Sequence, residues 1–360
     1  MDMQKPLFLA VRESLSQSGM EPPIRKLGCR APVKFGKLGA VRFALLAACA
    51  VGCWAATIDD QQFNGRWDIS VNGLSSPRGW WLEVSGAGTG NLKGKFTGAP
   101  IGMVEDISKL AISDGELRFG IEGRYRQNRP EHGVYWARLE DGKLKGTFEI
   151  EGDPSTYLEW TGVRAPVLPD KDDTTWKRGD PVILFDGHNL AGWQTVGSVR
   201  SLGWTVKEGV LINGLGNTNL VSEKKFWNFA VDLEYKIGPH TNSGIGLRGR
   251  YEIEIGDDAD RPPSTQTSGA ILGRLAPSLN AARLAGDWQS MSARLVGRQV
   301  TVFLNGLRVI DRQTIDGPTA IALDTNEGDP GPLLLQGDRG SVAFRRIVVY
   351  PLVKTEQNKR

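Results

Sequence analysis

The chain has 360 residues, room for two domains of ordinary size and a leader. Apolar residues make up 40% and charged residues 24%, a globular balance that excludes an intrinsically disordered chain. The net charge of +3 is carried by residues 1–56, where eight Lys or Arg face three acids, so the remainder sits near −2 and no nucleic-acid partner is expected.

All three cysteines, Cys29, Cys49 and Cys53, fall within 1–56. The body therefore has no disulfide, thiolate metal site or cysteine nucleophile. Lys34, Lys37 and Arg42 precede an apolar run over 43–52 that ends in small residues, the pattern of a signal peptide. The run is too short to span a bilayer, so no transmembrane span is expected in the mature chain. Two processing readings stand. Leu46-Ala47-Ala48-Cys49 or Ala50-Val51-Gly52-Cys53 serves as a lipobox with a lipid anchor on Cys49 or Cys53, or Cys53-Trp54-Ala55 is an ordinary cleavage site. Either reading predicts an exported protein, periplasmic or envelope-associated, and Met20 is an alternative start; the bland alternative is a cytosolic protein with a chance apolar run.

Residues 57–165 are short alternating stretches separated by turns. Asn91–Phe96, Asp114–Phe119 and Asp141–Phe148 share a form, and the Asp-Gly of the latter two supplies the positive φ of a tight hairpin. No segment keeps a helical period for three turns. The expectation is an antiparallel β-barrel, closed or nearly so. Trp67, Trp80, Trp81, Trp136 and Trp160 either fill its core or line a sugar-stacking surface.

Residues 166–180 lack periodicity and read as a linker. Beyond it, strands are expected at 209–213, 219–222, 229–237, 244–255, 268–272, 289–296, 299–304, 307–311, 332–336 and 341–350. The clearest hairpin lies around Asn305-Gly306. Many strands and no sustained helix predict an all-β jelly-roll sandwich over 181–353, in which one curved sheet forms a groove, followed by a tail at 354–360.

Within 244–255 charge and grease alternate. Arg248, Arg250, Glu252 and Glu254 are even; Leu247, Tyr251, Ile253 and Ile255 are odd. On a single strand that parity places both arginines and both glutamates on one face, the apolar set opposite, and the two glutamate Cα atoms about 6.5–7 Å apart. Such a face is either a solvated exterior, with cross-strand ion pairs of a few tenths to about 1 kcal/mol each, or the floor of a site. Like charges at that spacing raise each other's pKa, which helps one carboxyl stay an acid while the other serves as base. His132, His188 and His240 occupy separate segments and form no ligand spacing. Asp257, Asp258 and Asp260 fit either a solvated loop or a carboxylate-bound Ca²⁺.

The stretch 181–353 resembles the 3-keto-disaccharide hydrolase family, formerly a domain of unknown function, with a concanavalin A-like glucanase sandwich. The resemblance rests on Leu184-Phe-Asp-Gly187 with Leu190-Ala-Gly-Trp193, Trp204 before Glu208-Gly-Val210, Asn242-Ser-Gly-Ile245 with Arg248, and Tyr251-Glu-Ile-Glu-Ile-Gly-Asp257. It continues through Gly269-Ala-Ile271, Gly286-Asp-Trp288, Asn305-Gly306, Gly331–Asp338, Phe344-Arg345 and Pro351-Leu352. The chain departs from the family pattern in carrying Glu254 where Gln is frequent, Arg339 where His is, and Arg346 where Asn is.

The resemblance implies a carbohydrate substrate oxidised to a ketone at C3. The ketone acidifies the C2 hydrogen, a base removes it, the C1 oxygen leaves, and water adds back. On this reading Glu252 is the base, Glu254 or Asp338 the acid partner, and Arg248 the electrophilic support. Asn242, Asp257 and Arg339 complete substrate binding. Two other readings remain: a glycan-binding envelope protein without chemistry, which Arg339 favours, and an ordinary sandwich glycosidase. The last expects a third acid along the strand, where Gly256 stands.

Overall fold

The computed structural model describes residues 59–74, 78–100, 102–126, 129–173, 175–197, 203–214 and 218–355. The segment expected to be a signal peptide, Met20 and the candidate anchor cysteines Cys49 and Cys53 lie outside the described residues. Among the described residues all regular structure is β-strand except a 3₁₀ turn at Asp60–Phe63.

Nine antiparallel strands between Gly65 and Arg164 form one curled sheet. Its edge strands, Val104–Asp106 and Lys109–Ser113, follow one another in the chain, so the curl brings the edges together. Asp114 and Asp141 adopt φ of 53° and 50° in two-residue turns, as their Asp-Gly sequences require. Inside, Phe119 stacks on Tyr135 with ring centroids 4.5 Å apart, and Trp80, Phe96 and Phe148 pack around them. Trp67, Trp80 and Trp160 belong to this core, whereas Trp136 is half-buried. Trp81 follows Trp80 and therefore faces outward, yet it is fully buried because the second half of the chain covers it.

That second half is a two-sheet sandwich. The larger sheet runs through Trp204–Lys207, Val210–Asn213, Val342–Lys354, Phe229–Ile237, Gln289–Val296, Gln299–Leu304 and Leu307–Thr314, with Trp176–Arg178 and Val182–Phe185 also paired to Val342–Lys354. The smaller runs through Trp193–Thr195, Leu220–Phe226, Gly331–Leu335, Asn242–Leu247 and Tyr251–Gly256. Between them lies a core that includes Leu220, Leu233, Tyr235, Ile245, Tyr251, Ile253, Ile255, Val302 and Phe344. Each such side chain contributes about 1.5–3 kcal/mol by leaving water.

Two expectations need correction. The stretch 244–255 is a hairpin, not one strand, with Leu247 paired to Tyr251 across a three-residue loop. Arg248 and Gly249 both have positive φ, 53° and 63°, and Arg250 N donates to Leu247 O at 3.1 Å, closing a tight turn. The segment 268–272 forms no strand of its own; its backbone bonds to the free edge of Tyr251–Gly256 through Ala270 O, Gly269 N and Leu272 N.

The segment 166–180 lies on the sandwich. Asp170 accepts from Trp227 Nε1 at 2.9 Å and Asn228 Nδ2 at 2.8 Å, and Asp172 pairs with Arg294. Barrel and sandwich also touch directly. Arg274 places its guanidinium 4.2 Å from the Trp81 ring and donates to Thr97 Oγ1 at 3.0 Å, while Gly79 N donates to Ala322 O at 2.9 Å.

Candidate active site

The even residues of the hairpin share one face of the smaller sheet, with Glu252, Glu254 and Gly256 opposite Gly246, Gly244 and Asn242. The glycines leave room for the glutamates: a Cβ at Gly244 would come within 2.8 Å of Glu252 Cγ. Asn242 Nδ2 donates to Glu254 Oε1 at 3.1 Å. Glu252 is 1% exposed and Glu254 4%, so this face is sheltered rather than solvated.

Glu252 Oε1, Glu254 Oε2 and Gln336 Oε1 are buried with no hydrogen-bond partner. An unsatisfied buried polar atom costs about 1–3 kcal/mol, so these three oxygens on one wall would gain from a hydrogen-bond donor. Burial, before anything else, raises the Glu252 carboxyl well above the usual carboxylate range; the charges of Glu254 and Asp338 add to it, and Arg339 and Arg78 oppose it. Burial likewise pushes Glu254 up to about 8, against the hydrogen bond from Asn242 and with the help of Asp258. Two neighbouring carboxyls whose protonated forms are favoured by burial suit acid–base chemistry.

The other residues singled out in the sequence are dispersed. Asp338 and Arg339 follow the Gly331–Leu335 strand as a half-exposed pair, Arg339 Nε 3.8 Å from Asp338 Oδ2, and both act electrostatically on Glu252. Arg248 is the principal correction. Thrown outward by the turn, it is buried on the opposite side, stacked 4.4 Å over Trp227 and 5.2 Å from Tyr251, with Nη2 donating to Gly297 O. Parity failed at Arg248 because it lies in the left-handed turn, where strand alternation does not apply. Asp257 is tied to the preceding loop, accepting from His240 N at 2.8 Å. Asp258 accepts from Ser268 N at 2.8 Å, and among the described residues no group of three His, Cys, Asp or Glu is placed to hold a metal.

Four contributors were not singled out for this site. Asp258 lies beside Glu254, and Gln336 shares the face with Leu334 by parity, its N–H donating to Gly244 O at 2.9 Å. Thr319 Oγ1 accepts from Glu252 N at 2.9 Å. Arg78 comes from the barrel. Parity two residues past Leu334 is the signal that could have found Gln336; for Thr319 and Arg78 no local signal exists.

Residues 180–350 match the family model described as the 3-keto-alpha-glucoside-1,2-lyase-like domain, the family that the motifs of 181–353 resemble. No curated protein matches the chain in sequence. The chain is similar to a provisionally assigned glycosyl hydrolase from Parabacteroides distasonis at 24% identity, TM-score 0.41, over 52% of this chain and 91% of that one. A second from the same organism gives 24% identity and TM-score 0.39 over 48% and 100%. The carbohydrate binding module CBM66 from Bacillus subtilis gives 12% identity and TM-score 0.31 over 44% and 94%. Among the described residues no helix is long and apolar enough to cross a membrane.

Proposed function

We propose that the sandwich matched by this family over 180–350 is carbohydrate-active and cleaves 3-keto-glycosides by elimination followed by hydration. The observation that supports the reading most is the Glu252–Glu254 pair: two carboxyls on one strand, sheltered, each with an unpaired oxygen. The pair titrates as a unit. Loss of its first proton leaves one carboxylate as base beside one carboxylic acid.

The base takes the C2 hydrogen as a proton, and the C2–H electron pair is held by the adjacent ketone as an enolate. The enolate collapses to a C1=C2 double bond, the C1–O bond breaks, and the acid delivers its proton to the departing oxygen. One proton has entered the pair and one has left it. Water then adds, hydroxyl to C1 and hydrogen to C2, through the same two groups. Asn242 fixes the Glu254 carboxyl, and Arg339 at the half-exposed end meets sugar hydroxyls. Export through the leader is part of the same proposal, checked by N-terminal sequencing of the protein from cells.

The test supplies the mature chain with 3-keto-sucrose or 3-keto-trehalose beside the unoxidised sugars. Cleavage of the keto forms alone, lost in Glu252→Gln, supports the reading. Binding of plain glycans with no turnover of any keto-glycoside overturns it in favour of a binding module.

A further inference from the structure

The charges acting on Glu252 include one from outside the sandwich. Arg78 precedes the barrel strand Trp80–Ser85, and its place is set by contacts with the 319–325 segment of the sandwich. Its Nη1 donates to Ala320 O at 3.2 Å, and the next residue, Gly79, donates its N–H to Ala322 O at 2.9 Å. Gly79 is pressed so closely on this segment that a Cβ there would come within 2.6 Å of Asp324 O. The residue before Ala320 is Thr319, whose Oγ1 holds the Glu252 amide at 2.9 Å. Glu252 and Arg78 are therefore anchored at adjacent positions of one short segment, although 174 positions separate them in the chain.

Arg78 is only partly buried and forms no salt bridge among the described residues. A guanidinium has five N–H donors, so one bond to Ala320 leaves most of them for another acceptor. Asp338 and Arg339 bear on Arg78 electrostatically, as they do on Glu252. Arg248, the cation expected to support the reaction, is turned away.

We infer that the N-terminal barrel is a working part of the active site, with Arg78 reaching across the domain interface to contact the substrate and hold the negative charge that develops on its C3 oxygen. This rests on the elimination reading of Glu252 and Glu254. A guanidinium suits the task because it stays charged and offers paired donors to an oxyanion.

The experiment compares full-length wild type with Arg78→Met and Arg78→Lys in turnover of 3-keto-trehalose, in pH–rate profiles, and in carboxyl titration followed by ¹³C NMR of labelled glutamate. Arg78→Met should lower kcat by about 10²–10³-fold, the range for removing an oxyanion donor. It should also move the Glu252–Glu254 titration to higher pH, because a cation opposing their protonation is gone. Arg78→Lys, which keeps the charge, should restore the titration and part of kcat. Wild-type kcat in a folded Arg78→Met, or an unmoved titration, overturns the inference while leaving the elimination reading intact. If wild type turns over no keto-glycoside, that reading fails, and the titration still decides whether Arg78 addresses the pair.

Discussion

Thr319 Oγ1 accepts the Glu252 amide proton at 2.9 Å, and its own backbone N–H donates to Arg250 O at 2.9 Å. Tyr251–Gly256 is an edge strand, and an edge with open N–H groups frays or pairs with other chains. Here the edge is closed by pieces of loop: Thr319, then Leu272 N to Glu252 O, Glu254 N to Ala270 O, Gly269 N to Glu254 O, and Gly256 N to Ser268 Oγ at 2.9 Å. The glutamates are aimed by a strand held on both sides.

Thr319→Val keeps the shape and removes the acceptor. The Glu252 amide is then buried and unpaired, so stability should fall by about 1–3 kcal/mol. Denaturant unfolding reads the loss, and turnover should fall more than a purely global destabilisation allows, since the strand that aims Glu252 loosens.

Gly244→Ala tests the space above the sheet. Gly244 does not have a positive φ, so the effect is steric: the new methyl would meet Glu252 Cγ at 2.8 Å and Cδ at 2.9 Å. Overpacking of this kind costs about 1–3 kcal/mol. Keto-glycoside turnover should be lost while the circular dichroism spectrum is retained; unchanged turnover would mean that Glu252 does not occupy that hollow when it acts.

The pH dependence has a definite sign. Glu254 rises from an ordinary 4.5 to about 8 in the fold, and burial raises Glu252 in the same direction. Between those values the unfolded chain has lost a proton that the native protein keeps, so stability is full below about pH 4.5 and is lost as pH rises towards 8. The slope is about 1.4 kcal/mol per pH unit for each such group. Activity should run the other way, rising as the pair yields its first proton. Asp68, buried at the domain interface and pushed up to about 8 by burial and then by Glu327, provides a control. Glu254→Gln should flatten the stability slope and abolish activity; Asp68→Asn should flatten the slope and leave the shape of the pH–rate profile alone. Melting temperatures from pH 5 to 9 check both.

Arg274 joins the domains, with a fully buried side chain that donates to Asp316 Oδ1 at 3.1 Å, Pro318 O at 2.6 Å and Thr97 Oγ1 at 3.0 Å. Arg274→Met removes these bonds and should cost about 3 kcal/mol, the scale of a lost charge-assisted hydrogen bond. Differential scanning calorimetry should show the barrel and sandwich separating into two transitions. A single unshifted transition would mean that Arg274 does not couple them.

Much of this architecture is written locally. The Asp114-Gly115, Asp141-Gly142 and Asn305-Gly306 turns fall between the strands they were expected to join. Ile253 and Ile255 enter the core while Glu252 and Glu254 face away, because alternation survives a three-residue loop. The misreading came at Arg248-Gly249, where charge alternation hid a turn. Trp81 is a second case: its parity points out of the barrel, and only a neighbouring domain explains why it is buried.

Sequence by itself determined the all-β character, the turn positions and the shared face of the two glutamates, since strand period and turn geometry depend on residues a few positions apart. Only the tertiary structure decided that this face is sheltered, that Arg248 leaves it, and that Thr319 closes the strand edge beside it. Those outcomes depend on which distant surfaces cover one another, and burial sets the carboxyl protonation on which the proposed chemistry rests.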